Sequence, residues 1–505
     1  MTGTILTDKS RTVDLDSYRT GNPFTIDAGT KILTSAGDAI YGDATKAWTL
    51  TNSGTLDGNV DGIDFAAGGL VTNGAGATIE GGSRGIFMNG AYGNVTNAGL
   101  IQGTAYMGIE LEAGGRVYNE TGGSIRSQGS VGVLILGAAG TVTNQGVISS
   151  ASNVGVALDG GGTITNVNDG SITGKTCGTF CWIAEATVIN DGRIRATAAT
   201  GVGISLRDGG AATNAAGALV MAPLDGILVG GQDGTIINAG TIDATGTHGI
   251  GVDFANAGPN TLTNGGTIIG TSGEAVQFGT GNDRLIIDPG AIFRGAVNGG
   301  GGSNTIELAA GKVVGVLSGL GRVNFANFQT VVEDAKADWH LTGTNQLGAG
   351  TSLTNAGTLA VSGTTSLAGS VTGTGTIVID AGAAIVSAGI LAATQSLEFY
   401  ATTGALKIQN VAGFKAGVEG FGAGDHLDIA NPNFAYNATE TFGFVENAAG
   451  TKGVLTIVDG THQMSLTLFG QYVAGDFRLQ SDGAGGTLVT FATPAARSPT
   501  LLAGH

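Results

Sequence analysis

A hydrophobic residue, usually a threonine, and then an asparagine recur in register along this chain. The tripeptides end at Asn52, Asn73, Asn97, Asn119, Asn144, Asn166, Asn190, Asn214, Asn238 and Asn264. Successive asparagines lie 21, 24, 22, 25, 22, 24, 24, 24 and 26 residues apart. A period in this range marks a repeat architecture, in which each unit buries its apolar face only against its neighbours. Every unit has the same inner order. Val95-Thr96-Asn97-Ala98-Gly99 is followed by Leu100-Ile101-Gln102-Gly103 and then by Gly108-Ile109-Glu110-Leu111. Three short runs of period-two alternation, separated by glycine-bearing turns, read as strands. Units this short leave no room for a crossover helix.

The chain is therefore predicted to be all-β, a right-handed parallel β-helix (solenoid) with coils of about 22–25 residues. Alternation turns the hydrophobic residue and the asparagine inward and the threonine outward. The columns Val71, Val95, Val117, Val142 and Ile79, Ile101, Ile125, Ile148 should then stack at the strand spacing of about 4.8 Å. An unpaired inward asparagine would cost about 1–3 kcal/mol. In register, each amide can donate to the next, so the ten asparagines are predicted to form an interior ladder.

Composition supports this and excludes alternatives. The 505 residues include 93 glycines but only 7 prolines, and 42% are hydrophobic, which rules out collagen and a disordered linker. With 22 basic against 39 acidic residues the net charge is −17, so nucleic acid is not an expected partner. No run approaches the roughly 18 apolar residues of a membrane helix, and no transmembrane segment is predicted. The start, MTGTILTDKSRTVDLD, lacks the features of a cleaved secretory signal. Either a signal was removed ahead of this start or export uses an uncleaved C-terminal signal, the second being the expectation.

Residues 1–48 lack the full repeat and are predicted to be an N-terminal cap, with the regular solenoid over 49–305. Residues 306–395 keep a shorter version (LTNAGTLAVSG, SVTGTGTIVIDAG) and are predicted to form smaller coils. From 396 aromatics thicken, and Gly453–Val458 and Met464–Leu468 flank Asp459-Gly460 as a β-hairpin would. This predicts a C-terminal β cap over 396–491 and a tail over 492–505.

These repeats resemble those of large secreted β-strand-repeat proteins of proteobacteria, including autotransporter passengers and adhesins, over about 49–395. The segments GFGAGDHLDI and LFGQYVAGDFRLQSDGAGGTLVTF resemble the ends of repeat proteins exported without an N-terminal signal. The resemblance implies an extracellular or cell-surface setting, on a bacterium. An autotransporter would end in a membrane barrel, whereas this sequence ends in Leu-Leu-Ala-Gly-His505, with no room for one. It reads as a non-barrel protein or as a passenger separated from its barrel.

The search for chemistry yields few candidates. Cys177 and Cys181, in GKTCGTFCW, could close a small disulfide or remain two thiols of one loop. Gly279-Thr280-Gly281-Asn282-Asp283 matches a portion of a glycine–aspartate calcium repeat, making Asp283 a weak calcium candidate. Its degenerate copy at 300–306 follows about 21 residues later rather than the nine that tandem calcium loops need, so no cofactor is expected. A β-helix enzyme acting on polysaccharide needs carboxylates, or a carboxylate with a base, on one outward face. The outward row of the third strand reads Asp64, Phe87, Glu110, Leu134, Ala157, Ser205, Leu228, Gly251, with Phe87 between the two acids and no basic residue joining them. The five histidines are scattered. No catalytic residue is therefore assigned. The outward threonines (Thr51, Thr72, Thr96, Thr143, Thr165, Thr213, Thr263) form a weakly polar stripe suited to exposed strands.

The expectation is a structural or adhesive protein, not an enzyme, contacting a cell, host or abiotic surface, with glycans and self-association as candidate interactions. The rival readings are a polysaccharide lyase or hydrolase and a self-assembling filament or surface-layer subunit.

Overall fold

The structure, a computed structural model, describes residues 3–18 and 21–492. It divides into two units: residues 1–284 with 292–302, and residues 285–291 with 303–505.

The first unit is a parallel β-solenoid whose coils each supply one strand to three stacked rows. Gly69–Asn73, Gly93–Asn97, Gly115–Asn119 and Gly140–Asn144 stack in the first row, with Val71, Val95, Val117 and Val142 in register. The second row places Ile79, Ile101, Ile125 and Ile148 in register, and the third does so for Ile86, Ile109, Val133 and Val156. All of these side chains are buried. Burial alternates along the first-row strands because a pleated strand sends successive side chains to opposite faces.

The asparagine ladder is present. Asn52 Nδ2 donates to Asn73 Oδ1 at 2.9 Å, and the bond repeats at 2.8–2.9 Å from coil to coil as far as Asn264. The same amide nitrogens also reach the carbonyl that opens the next coil's second strand, as Asn144 does with Ser171 at 3.2 Å. Each asparagine from Asn52 to Asn238 therefore ties together two rows as well as two coils. All ten are buried.

The glycine that opens each third strand has a separate cause. At Gly62, Gly85, Gly108, Gly132, Gly155, Gly178, Gly203, Gly226 and Gly251 a Cβ would lie 2.5–2.6 Å from a carbonyl oxygen of the next coil. It would also lie 2.3–2.9 Å from an isoleucine or valine methyl of a second strand. None of these glycines has positive φ. They are required by close approach of backbone to backbone.

The stack begins earlier than expected. Gly3–Ile5 and Phe24–Ile26 pair in the first row and lead into Trp48–Asn52, and Lys31–Leu33 and Ile40–Gly42 join the other rows. Residues 3–18 and 21–48 thus carry coil strands rather than a distinct cap. Ile26 occupies the asparagine position opposite Asn52, which hides the repeat from a search for asparagine.

The second unit also coils, with a shorter period. One of its rows runs Thr344, Thr364, Ala384, Ala405 and His426, a step of 20 or 21 residues. Parallel stacking continues to His426–Ile429, past the boundary expected at 396. Antiparallel strands close the unit. Lys452–Asp459 and His462–Phe469 form the expected hairpin, with Gly460 at φ 57° in its two-residue turn. Phe477–Ser481 and Thr487–Phe491 form another, whose second strand pairs with His426–Ile429. Phe421, Phe444, Tyr472, Phe477 and Phe491 pack ring against ring beneath these strands. The segment 493–505, most of the expected tail, lies outside the described residues.

Candidate ligand-binding face

Two outward columns run side by side along the third row of the first unit. One holds the residue before each repeat glycine: Asp61, Arg84, Met107, Val131, Val154, Cys177, Val202, Asp225, Ile250. The other holds the residue two places after it: Asp64, Phe87, Glu110, Leu134, Ala157, Phe180, Ser205, Leu228, Asp253. The expected row omitted Phe180 and ended in Gly251. Register instead sets Asp253 opposite Leu228, because Gly251 belongs to the inward-crowded glycine column.

Both columns are charged at the N-terminal end. Arg84 Nε lies 3.2 Å from Asp61 Oδ1, its Nη1 lies 2.9 Å from Glu110 Oε2, and its guanidinium sits 3.7 Å above the Phe87 ring. Arg84 thus binds Glu110 of the expected row, but joins it to Asp61 of the neighbouring column and not to Asp64. Arg84 reaches over Phe87 because a guanidinium stacks on an aromatic face while its edge forks to carboxylates. Asp61 is almost fully buried and also receives the Arg84 backbone N–H at 3.0 Å. Burial holds the Asp64 carboxyl up at about 6, with Asp38 and Asp61 adding repulsion. Burial raises Glu110 too, against the pull of Arg84. The cation is spent on its two partners, so this end is a clasp across three coils.

The centre is apolar. Val131, Val154, Ala157, Cys177, Val202 and Leu228 pack on the outside of the sheet, with Met107, Leu134 and Phe180 against them. From Val154–Leu158 to Asp225–Val229 the third strands are buried on both faces, apart from the half-buried Phe180. Small Ala157 between Leu134 and Phe180 leaves an open slot of about 480 Å³, flanked by Trp182 and rimmed by Asn153, Asp159 and Thr176. Trp182 is 58% exposed and meets Phe180 edge-on at 6.1 Å. At the far end, burial and then Asp253 push the Asp225 carboxyl up to about 6, with Arg207 opposing.

The cysteines do not form the small disulfide that sequence allowed. Both are free thiols on one strand, Cys177–Cys181, not in a loop. Cys177-Gly178-Thr179-Phe180-Cys181 fills the same slots as the other third strands, which turns Cys177 outward and Cys181 into the core. Four residues of strand separate their Cα atoms by about 13 Å, beyond the roughly 7 Å a disulfide spans. Burial pushes the Cys181 thiol up to about 12. Thiol reagents are expected to leave Cys181 unmodified in folded protein and to label both cysteines after denaturation. Rapid labelling of Cys181 in the native state, followed by mass spectrometry, would contradict the assigned register.

Asp283 is buried and accepts from the backbone N–H and side-chain amide of Asn260 at 2.7 and 2.8 Å, so its carboxylate is engaged in the fold. Among the described residues no group of three or more His, Cys, Asp or Glu side chains could hold a metal ion. The threonine stripe is interrupted in register by Tyr118, Ile189 and Ile237. Among the described residues no helix is long and apolar enough to cross a membrane. No protein-family model matches the chain, and no curated protein matches it significantly.

Proposed function

We propose that this chain is an extracellular structural or adhesive β-solenoid of a bacterial cell surface, contacting its target through the third row of the first unit. The observation that carries this reading is the open, mostly apolar slot between Leu134 and Phe180 beside exposed Trp182. A concave, mostly apolar slot with a few polar groups at its rim is the usual form of a small-ligand site. An exposed aromatic over an aliphatic floor offers stacking to the apolar face of a sugar ring, while Asp159, Asn153 and Thr176 offer hydrogen bonds at the rim. The net charge of −17 favours neutral or cationic targets over anionic ones.

Purified protein is expected to bind immobilised neutral polysaccharide, and Trp182→Ala or Ala157→Arg to weaken binding at least tenfold, about 1.4 kcal/mol. Equal binding by both variants would move the contact to another face. Failure of the unaltered protein to bind any glycan-coated or abiotic surface would remove the adhesive reading.

One observation favours a second reading, a polysaccharide-cleaving enzyme. Asp64, held up at about 6, stays partly protonated near neutral pH, as a general acid would, with Glu110 two coils along the same column. Against it, Arg84 and Glu110 neutralise one another. Turnover of a polysaccharide that disappears in Asp64→Ala would establish the enzyme in place of the adhesin.

A further inference from the structure

The second unit buries a carboxyl group where the first buries amides. Thr330–Glu333 lies between Thr305–Leu308 and Ser352–Asn355, with Leu308, Glu333 and Asn355 in register. Val331 and Glu333 point inward, and the Glu333 side chain has no exposed surface. Among the described residues neither of its oxygens has a hydrogen-bond partner.

Its neighbour cannot supply one. Asn355 Nδ2 is committed to Gln395 Oε1 at 3.1 Å and Thr376 O at 3.3 Å, and Asn355 Oδ1 accepts from Gly357 N at 3.0 Å. The ladder logic of the first unit is therefore broken here by a group that cannot be charged cheaply. Burying an unpaired carboxylate costs far more than burying its neutral acid.

The charged groups around it do not compensate. Asp334, Lys336 and Asp338 line the corner that follows, Lys336 being exposed, and the two aspartates repel a charge on Glu333. Glu307, on the preceding strand, and His340, on the strand Asp338–Thr342, sit at outward positions. Ser352–Asn355 carries no titratable residue.

We infer that Glu333 is a proton-holding latch: the coils around it are closed while its carboxyl is neutral and loosen when it ionises. The direction of the linkage follows. Burial, reinforced by Asp338 and Asp334, lifts this carboxyl from 4.5 to about 8. Between those values the folded chain holds a proton that the unfolded chain has released. The contribution to stability is complete below the unfolded value and is lost as pH rises through the folded one. The second unit thus weakens toward alkali, opposite to a chain whose acids are stabilised by salt bridges.

The test is hydrogen exchange of the full chain from pH 5 to 9, read on peptides covering Thr330–Glu333 and Ser352–Asn355 and corrected for the intrinsic pH dependence. Protection is expected to fall up to tenfold per pH unit between about 5 and 8, the limit for one proton. In Glu333→Gln that slope should vanish, while peptides over Gly140–Asn144 behave alike in both proteins. Should Glu333→Gln fail to fold, Glu333→Leu, which copies Leu308 of the preceding coil, serves as the pH-insensitive variant. Unaltered protein with flat protection across the range, or a slope that survives both substitutions, would overturn the inference.

Discussion

Gly132→Ala is expected to destabilise the first unit by about 2–4 kcal/mol, at the upper end of what one added methyl does in a packed interior. The methyl would lie 2.5 Å from Gly155 O and 2.9 Å from the Ile148 Cγ2 methyl. Side chains turn aside, but a carbonyl fixed in a parallel ladder does not. The new atom must therefore push apart neighbouring coils that share hydrogen bonds in all three rows. Gly350→Ala, where a Cβ would meet nothing within 4 Å and φ is ordinary, is the control, with an effect expected within about 0.5 kcal/mol. Urea midpoints of the two variants by circular dichroism decide the matter. Equal shifts would mean that the stack absorbs the methyl and that the glycine column has another cause.

Asn144→Leu should cost about 2–4 kcal/mol. It leaves the buried Asn166 Oδ1 without its donor, at about 1–3 kcal/mol, and takes one bond, about 1 kcal/mol, from the Asn119 amide, which keeps Gly123 O and Val147 O. The bond to Ser171 O that ties the first row to the second is lost as well. Asn264→Leu makes the informative comparison. Asn264 accepts from Asn238, but its own amide nitrogen is without a partner among the described residues. That substitution takes one acceptor from Asn238, which keeps Thr267 O, and leaves no neighbouring asparagine oxygen without its donor, so it should cost about half as much. A larger loss at Asn264 than at Asn144 would show that the amides contribute individually, not as a ladder.

The repeat made the fold legible. Each coil places asparagine and a hydrophobic residue at the same two inward positions, so register could be read without coordinates, and Asn97 does meet Asn119 at 2.8 Å. Legibility failed where a residue departs from the pattern while keeping its place. Ile26 stands where asparagine was sought, and the first coils therefore read as a cap. Cys177 and Cys181 fit the third-strand pattern, but their spacing drew attention to pairing instead of position. Arg84 was missed for a different reason. Only the column after each glycine was followed outward, and the ion pair to Glu110 arises from the column before it. Writing the residue ahead of Gly62, Gly85 and Gly108 beside the residue two places beyond would have put Asp61, Arg84 and Glu110 on one surface. Glu333 gave no such signal, since its cost lies in missing partners rather than in its own identity.

The even spacing of the ladder bears on how such a chain reaches its native state. Every asparagine bond joins residues 21 to 26 positions apart, whether near the first coil or the last. Closing a loop of that length costs the same at each step, so the entropic toll of one step does not grow as the array lengthens. Measured against 505 residues, the typical separation is roughly a twentieth of the chain, below the range usual for helical bundles and far below that of β-sandwiches. An all-β sheet of this kind can therefore assemble at the pace of local structure. The slow event is the first closed turn, and every later turn finds a finished edge on which to form.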